Sequence, residues 1–257
     1  MSILHAIILG IVEGITEFLP ISSTGHMILA GAVLKIPSTD FVKSFEIVIQ
    51  LGAILAVVVL YWKKLFTEWG TMKKIAAAFV PTAIVGYVFY KIIKHYLLGN
   101  SAAVVGALAV GGIALIVFEL WHKEKETAVA DVGTISYGQA VSIGLFQCLG
   151  MIPGVSRSAA TIIGGLLLGL KRQTIVEFSF LLAVPTMLAA TGYDLLKSGS
   201  SFASADWAPL AVGFAVSFVV ALISIKWLLN FIKKYSFIGF GAYRIVVAVI
   251  FWLVVLR

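Results

Sequence analysis

Long apolar runs dominate the pattern of this 257-residue chain and predict helices that span a membrane. A span needs about 17–25 predominantly apolar residues, and six runs reach that length, near 45–62, 75–93, 101–121, 175–196, 208–229 and 236–256. Two further apolar regions, 3–34 and 137–170, are interrupted at Leu19-Pro20 and at Ile152-Pro153-Gly154. Proline removes a backbone donor and disfavours helix at the preceding residue. Each of these two regions is therefore predicted to form two short helices joined by a tight turn.

A shift of 134 residues aligns the two interrupted regions. It matches Gly10 with Gly144, Glu13 with Gln147, Glu17 with Met151, Ser22 with Ser156, Ser23 with Arg157 and Thr24 with Ser158. The identity is low, but the basic residues support the repeat, because lysines and arginines in short loops favour the cytoplasmic side. With the loops near 63–74, 123–125, 171–172 and 226–234 inside, the spans alternate without conflict. The basic residues then predicted outside are Lys35, Lys43, Lys91, Lys94, Lys197 and Arg257.

This arrangement places the 35–43 loop outside and the matching 171–174 turn inside, so the two halves have opposite orientations. Inverted repeats built on broken helices are typical of transporters, in which the helix tips meet near the midplane. The predicted fold is all-α: one integral membrane domain, 1–257, with six transmembrane helices and two re-entrant helix hairpins in an inverted-topology repeat. The first repeat is 1–121 with the hairpin 3–34, and the second is 135–257 with the hairpin 137–170.

Composition agrees with a membrane protein and narrows the alternatives. The chain is 61% hydrophobic and 12% charged, whereas a soluble domain carries about twice that charged fraction. The net charge of +7 comes largely from lysines in short loops, so no nucleic-acid partner is expected. Cys148 is the one cysteine, which excludes an internal disulfide. No basic region precedes the first apolar run, so a cleaved signal peptide is not expected.

The first interruption carries a polar cluster between apolar stretches. An ionised side chain at the bilayer centre costs roughly 2.5–3.5 kcal/mol even on a lenient scale, so such a cluster is a functional-site hypothesis by default. Glu13 and Glu17 are four residues apart and share one helix face. Their repulsion leaves three outcomes open: a proton-carrying acid, a carboxylate paired with arginine, or an oxygen site for Mg²⁺ or Ca²⁺.

Hydroxyl groups follow this first interruption, where the next helix is predicted to begin. One of Ser22, Ser23 and Thr24 is the expected N-cap, but three consecutive hydroxyls exceed what capping needs. His26 follows Ser23 by three residues on the same helix face. It is either part of the site or a core histidine with satisfied hydrogen bonds.

The second interruption opens its helix with hydroxyls on both sides of Arg157. Free backbone N–H groups and the helix dipole make a helix N-terminus an anion site, and the planar guanidinium suits phosphate oxygens. Arg157 could alternatively be only an internal counterion for Glu13 or Glu17. If the two tips meet, they form a phosphoryl-transfer pocket in which a serine attacks, a neighbouring base takes its proton and the arginine holds the oxygens.

Two competing classes can be compared with these motifs. Type-2 phosphatidic acid phosphatases use similar Ser-Gly-His and Ser-Arg motifs, but their nucleophilic histidine would fall at position 163, which is Ile163 here. A secondary transporter or flippase for an anionic solute or lipid is the remaining rival, because inverted repeats and intramembrane carboxylates favour it. Phosphate release without a second compartment would discriminate the enzyme from the transporter.

Two long motifs resemble the paired signatures of the undecaprenyl pyrophosphate phosphatases of the bacitracin-resistance type. They are Glu13-Gly-x-Thr-Glu-Phe-Leu-Pro-x-Ser-Ser-Thr-Gly-His26 and Pro153-Gly-x-Ser-Arg-Ser-x-x-Thr161. The resemblance extends over the whole chain and implies a multi-pass enzyme of the bacterial inner membrane with a site open to the periplasm. It would hydrolyse a polyprenyl pyrophosphate lipid to the monophosphate, recycle the carrier for cell-wall synthesis and confer bacitracin resistance. A homodimer is left open.

The resemblance also implies roles for the motif residues. Ser23 would be the nucleophile, Glu17 the group that activates it and Arg157 the phosphate clamp. His26 would serve as acid and base, or would itself be the nucleophile. Glu13 and Glu17 would hold a divalent cation, Mg²⁺ or Ca²⁺. The residues predicted to bind the substrate are Ser22, Thr24, Gly25, Gly154, Ser156, Ser158 and Thr161.

Overall fold

Helices make up most of the computed structural model, which describes residues 1–37, 39–92, 101–198 and 207–256. The α-helices of this part of the chain are α1 Ile3–Thr16, α2 Ser23–Val33, α3 Asp40–Leu60, α4 Trp62–Phe66, α5 Trp69–Ile92, α6 Ser101–Trp121, α7 Tyr137–Leu149, α8 Arg157–Leu167, α9 Arg172–Ser198, α10 Trp207–Phe231 and α11 Ile238–Phe251. A 3₁₀ turn at Val132–Thr134 and a π-helical end at Trp252–Leu256 complete the order. Lys94 and Arg257, both predicted on the outside, lie beyond the described residues.

Six of these helices are long and apolar enough to cross a membrane. They cover Phe41–Leu60, Trp69–Phe89, Ser101–Trp121, Arg172–Tyr193, Trp207–Phe231 and Ile238–Val255. Their outer faces carry large, mostly exposed apolar side chains, among them Leu120 and Ile223. A helix that is hydrophobic on all sides requires an apolar environment around it. The all-α class and the six predicted spans are confirmed.

Both interrupted regions form two short helices, as the prolines predict. The first connection is 17–22, between α1 and α2, and the second is 150–156, between α7 and α8. Each connection ends in a serine with a positive φ, 73° at Ser22 and 77° at Ser156, and the side chain of each serine caps the helix that follows. The predicted re-entry into the membrane and the inverted orientation of the two halves stay predictions.

Helices of the two halves pack against each other in a reciprocal way. α1 packs along α10, and α7 packs along α5. Glycines allow close approach at both interfaces: a Cβ on Gly10 would lie 2.8 Å from the carbonyl oxygen of Gly213, and one on Gly144 would overlap the carbonyl group of Ala78. Small residues permit such contact between helix backbones in a membrane, where van der Waals packing drives helix association.

The two connections are held close together in the middle of the bundle. Ser158 donates a hydrogen bond from its Oγ to the carbonyl oxygen of Leu19, at 2.7 Å. Phe18 packs edge-on against Phe180 of α9, with ring centroids 5.2 Å apart. The first connection is therefore tied both to the start of α8 and to α9, which brings the Glu17 carboxylate within reach of Arg157.

Candidate active site

A cavity of about 470 Å³ lies where the two connections meet the long helices α5 and α9. Predicted site residues form its polar wall: Glu17, Ser22, Ser23, Thr24, Gly154, Ser156 and Arg157. The structure thus brings together both motifs, which are more than a hundred residues apart in the chain. Glu13, Gly25, His26, Ser158 and Thr161 are not part of the cavity wall.

One carboxylate connects the two motifs directly. Ser23 donates from Oγ to Oε2 of Glu17 at 2.6 Å, and Nη2 of Arg157 donates to Oε1 of the same carboxylate at 3.4 Å. Arg157 also donates from Nη1 to the carbonyl oxygen of Ser179 at 3.0 Å. All three groups are nearly inaccessible to solvent, and they line one cavity. A hydroxyl bonded to a carboxylate, beside an arginine, is the arrangement that activates a nucleophile for attack on an anion.

Glu13 lies one turn before Glu17 and is fully buried. Neither of its carboxylate oxygens has a hydrogen-bond partner among the described residues. Glu17, Glu46 and Arg157 are the charged groups close enough to interact with it electrostatically. The donors here are carboxylate and hydroxyl oxygens, which Mg²⁺ and Ca²⁺ prefer, and Mg²⁺ commonly takes one or two carboxylates together with substrate phosphates. Among the described residues, no group of three or more His, Cys, Asp or Glu side chains could hold a metal ion, so a cation at these two carboxylates would need phosphate oxygens of the substrate as further ligands.

The serines at the two helix starts have capping roles. Ser22 accepts from the backbone N–H of Gly25 at 3.4 Å, and Ser156 accepts from that of Ala159 at 3.2 Å. The expectation that one hydroxyl of the first cluster is an N-cap is confirmed. Because Ser22 and Ser156 also face the cavity, they bring the positive ends of α2 and α8 to its wall, where an anion is stabilised.

Three other predicted residues lie outside the cavity wall, and their polar side-chain groups are hydrogen-bonded within the protein. Thr161 bonds to the hydroxyl of Ser179 at 2.6 Å, and Ser158 contacts Leu19 as described above. His26 shares one hydrogen bond at 2.8 Å between Nδ1 and the carbonyl oxygen of Ser22, and another at 2.9 Å between Nε2 and the hydroxyl of Tyr243. A carbonyl only accepts, so Nδ1 carries the proton and Nε2 accepts. These contacts favour the core-histidine alternative, while the catalytic role of His26 stays a prediction.

The sequence reasoning missed a second polar group on the cavity wall. Gln147 donates from Nε2 to the hydroxyls of Thr82 and Thr186, at 2.8 and 3.1 Å. Those hydroxyls donate in turn to backbone carbonyls, so the amide orientation is fixed and Oε1 of Gln147 has no partner among the described residues. In the sequence, the feature that could have pointed to Gln147 as a site residue is its alignment with Glu13 in the 134-residue repeat.

Much of the rest of the cavity wall is apolar and comes from α5 and α9; we call this part the apolar trough, and Gln50, Gly150, Met151 and Ile152 also line the cavity. These side chains form it: Phe79, Ala83, Gly86 and Tyr87 from α5, and Met187, Ala189, Ala190 and Tyr193 from α9. The rings of Tyr87 and Tyr193 lie edge to face, with centroids 6.4 Å apart. The cavity is therefore amphipathic, with an anion-binding end at the connections and an apolar path along two long helices.

Fold and site together define a multi-span α-helical membrane protein with a buried site for an anionic amphiphile. The chain belongs to the family described as Bacitracin resistance protein BacA, whose model matches residues 6–250. It is 55% identical over 247 residues to the undecaprenyl-diphosphatase of Aquifex aeolicus, covering 96% of each chain. It is also 55% identical to that of a Sulfurihydrogenibium species, covering 98% of this chain and 99% of the relative. Identity to the undecaprenyl-diphosphatase of Persephonella marina is 50% over the whole of both chains.

Proposed function

We propose that this protein hydrolyses undecaprenyl pyrophosphate to undecaprenyl phosphate and inorganic phosphate. The observation that carries the proposal is the Ser23–Glu17–Arg157 chain on the polar wall of an amphipathic cavity. Relatives at 50–55% identity bear the name undecaprenyl-diphosphatase. The reaction recycles the lipid carrier of cell-wall synthesis. It also lowers the amount of undecaprenyl pyrophosphate, the form of the lipid that bacitracin binds. The protein would lie in the bacterial inner membrane with its site open to the periplasm.

The geometry supports a two-step reaction with Ser23 as nucleophile. Oγ of Ser23 attacks the terminal phosphorus while its proton passes to Oε2 of Glu17, and the bond from that phosphorus to the bridging oxygen breaks. The lipid monophosphate leaves with the electron pair of that bond. Water then attacks the phosphoseryl group, the bond between phosphorus and serine oxygen breaks, and Glu17 returns its proton to the serine oxygen. The oxygen and both protons of the water leave as part of the released inorganic phosphate. Arg157 holds the equatorial oxygens throughout.

The two neighbouring carboxylates support a cation requirement. Glu13 and Glu17 would hold Mg²⁺ or Ca²⁺ together with phosphate oxygens of the substrate. A bound divalent cation supplies charge neutralisation for the diphosphate. Without the cation, the carboxylates would repel the anionic substrate. Only Arg157 and the N-termini of α2 and α8 would then offset this repulsion.

The apolar trough supports a lipid substrate. Its residues on α5 and α9 line the same cavity as the polar wall, so an isoprenoid chain can lie against them while the diphosphate stays at the connections. The Gln147 side chain lines this cavity as well. A homodimer stays a prediction.

A purified-protein assay tests the proposal. We expect inorganic phosphate release from a polyprenyl pyrophosphate in detergent, lost with a chelator and restored by Mg²⁺ or Ca²⁺. Ser23→Ala is the control that keeps the cavity but removes the hydroxyl. If the folded wild-type protein releases no phosphate with either Mg²⁺ or Ca²⁺ present, the proposed enzyme activity is excluded.

A transporter or flippase for an anionic lipid is the second candidate function. The broken helix of each half packs on a long helix of the other half, α1 on α10 and α7 on α5, and both breaks end in a serine cap. Such matching contacts are expected of the inverted repeats found in transporters, so they support this candidate. Cysteine labelling of intact cells tests the orientation: residues 35–43 should react from outside and residues 171–174 only after permeabilisation. Labelling of both from the same side would refute the inverted repeat.

A further inference from the structure

Arg244 is the largest fully buried side chain among the described residues. It lies on α11, in the middle of an apolar span. None of its hydrogen bonds within the described part of the chain goes to a carboxylate; all five of its N–H groups donate to backbone carbonyls instead. The acceptors are Leu108 at 3.3 Å from Nε, Pro20 at 3.2 Å and Val155 at 2.9 Å from Nη1, and Ala107 at 3.1 Å and Gly154 at 2.8 Å from Nη2. A guanidinium has five donors, and each one is used.

Three of these carbonyls belong to the two connections. Pro20 is in the first, and Gly154 and Val155 are in the second. No backbone N–H of the described residues donates to them. Carbonyl groups outside helices need partners at membrane depth, because lipid offers none. Arg244 supplies those partners for both connections with one rigid, planar group.

The clamped carbonyls are close in sequence to the reacting groups. Pro20 precedes Ser23 by three residues, and Val155 precedes Arg157 by two. The hydrogen bond from Arg157 to Glu17 is the longest link in the chain from Ser23, at 3.4 Å. Small changes in the separation of the connections would therefore change how Arg157 faces the phosphate that Ser23 attacks.

A glycine on α6 keeps the path of this side chain open. A Cβ on Gly111 would overlap the guanidinium of Arg244, and one on Gly112 would lie 2.7 Å from the carbonyl oxygen of Gly241 on α11. The close approach of α6 and α11 thus brings the aliphatic part of Arg244 against α6. Because position 111 is a glycine, the guanidinium can pass α6 and reach the connections.

We propose that Arg244 is a positioning residue that fixes the two connections relative to each other and thereby aligns Arg157 with Ser23. This inference rests on the proposed phosphatase function for its kinetic consequence. Its structural consequence, a fixed separation of the two hairpins, does not depend on that function.

The first test is kinetic, with Arg244→Lys compared with Arg172→Lys. Arg172 is the matched control, because it pairs with Glu119 at 3.0 Å on α6 and does not line the active-site cavity. We expect Arg244→Lys to lower kcat by about 10- to 100-fold with KM within about threefold, because a misplacement of about 1 Å can cost about 10²-fold in rate.

The Arg244→Lys/Arg157→Lys double variant should be scarcely worse than Arg157→Lys alone, because groups that act as one unit are not additive. Fully multiplicative effects, or a kcat within twofold of the wild type, would overturn the proposal.

The second test measures the hairpins without any activity. Spin labels on cysteines at Lys35, just after α2, and at Gln173, in the first turn of the α9 helix that follows α8, report the separation of the far ends of the two hairpins in a Cys148→Ser background. The distance distribution should broaden or shift in Arg244→Lys and stay unchanged in Arg172→Lys; no change in either variant would refute the inference. If Arg244→Lys is not recovered folded, Gly111→Ala is measured in the same way. The added methyl group displaces the guanidinium of Arg244 while position 244 stays an arginine. A changed distance in a protein whose wild type releases no phosphate would reject the proposed function and keep the positioning role.

Discussion

Arg157→Lys isolates the contribution of a planar guanidinium from that of a positive charge. In the structure, Arg157 uses Nη1 on the carbonyl oxygen of Ser179 and Nη2 on Glu17, while Nε has no partner among the described residues. Its side chain is only 10% exposed, so water cannot replace lost donors. Lysine keeps the charge but offers no rigid fork for two phosphate oxygens.

The expected magnitude follows from the bonds that lysine cannot make. Hydrogen bonds to charged groups contribute about 1.5–3 kcal/mol each, and loss of one preorganised donor in an anion site typically costs about 10²–10³ in rate, or about 3–4 kcal/mol. We therefore expect kcat/KM of Arg157→Lys to fall by about 10²–10³. The measurement is phosphate release from a polyprenyl pyrophosphate by purified protein, with thermal unfolding followed in parallel.

Arg172→Lys is again the control for a general effect of the substitution. That variant should keep kcat/KM within about twofold, because Arg172 and its ion pair with Glu119 lie outside the cavity and lysine keeps the positive charge. A folded Arg157→Lys protein with near-parental phosphate release would refute the clamp. Equal losses in both variants would point to a shared effect on folding instead.

Three further changes test the division of roles and the packing. Ser23→Ala should abolish turnover while the substrate still binds, whereas turnover by this variant together with an inactive His26→Ala would identify the histidine as nucleophile. Glu17→Gln should reduce kcat more than Glu13→Gln, because only Glu17 contacts the Ser23 hydroxyl; the reverse ranking would contradict the assignment. Gly144→Ala should destabilise the protein by about 1–3 kcal/mol, measured by thermal inactivation in detergent, because its Cβ would overlap the backbone of α5.

Gly31→Ala is the matched control for the packing prediction. Gly31 lies inside α2, and nothing is within 4 Å of the position that its Cβ would take. Alanine is favoured over glycine inside a helix by about 1 kcal/mol, so this variant should be neutral or slightly more stable. Similar losses of stability in both variants would show that close approach of α7 and α5 is not the cause.

The sequence by itself determined the membrane class, the six spans and the two broken helical regions. These features are local: run length decides a span, and Pro20 and Pro153, unlike Pro81 and Pro185 inside α5 and α9, lie where the helices end. The motif residues could be selected for the same reason, because charged and hydroxyl groups in apolar surroundings are costly wherever they fold. Seven of them meet at one cavity, among them Ser23, Glu17 and Arg157.

Only the tertiary structure decided which polar groups face each other and what holds them. Sequence spacing could not show that His26 directs both ring nitrogens to Ser22 and Tyr243, or that Gln147 joins the cavity wall. In the sequence, Arg244 is the one charged residue of the apolar run 236–256. Its partners could not be predicted from residue types, because they are backbone carbonyls, which every residue has. Contacts between residues more than a hundred positions apart depend on how whole helices pack, and that packing is set by many small contacts summed over the bundle.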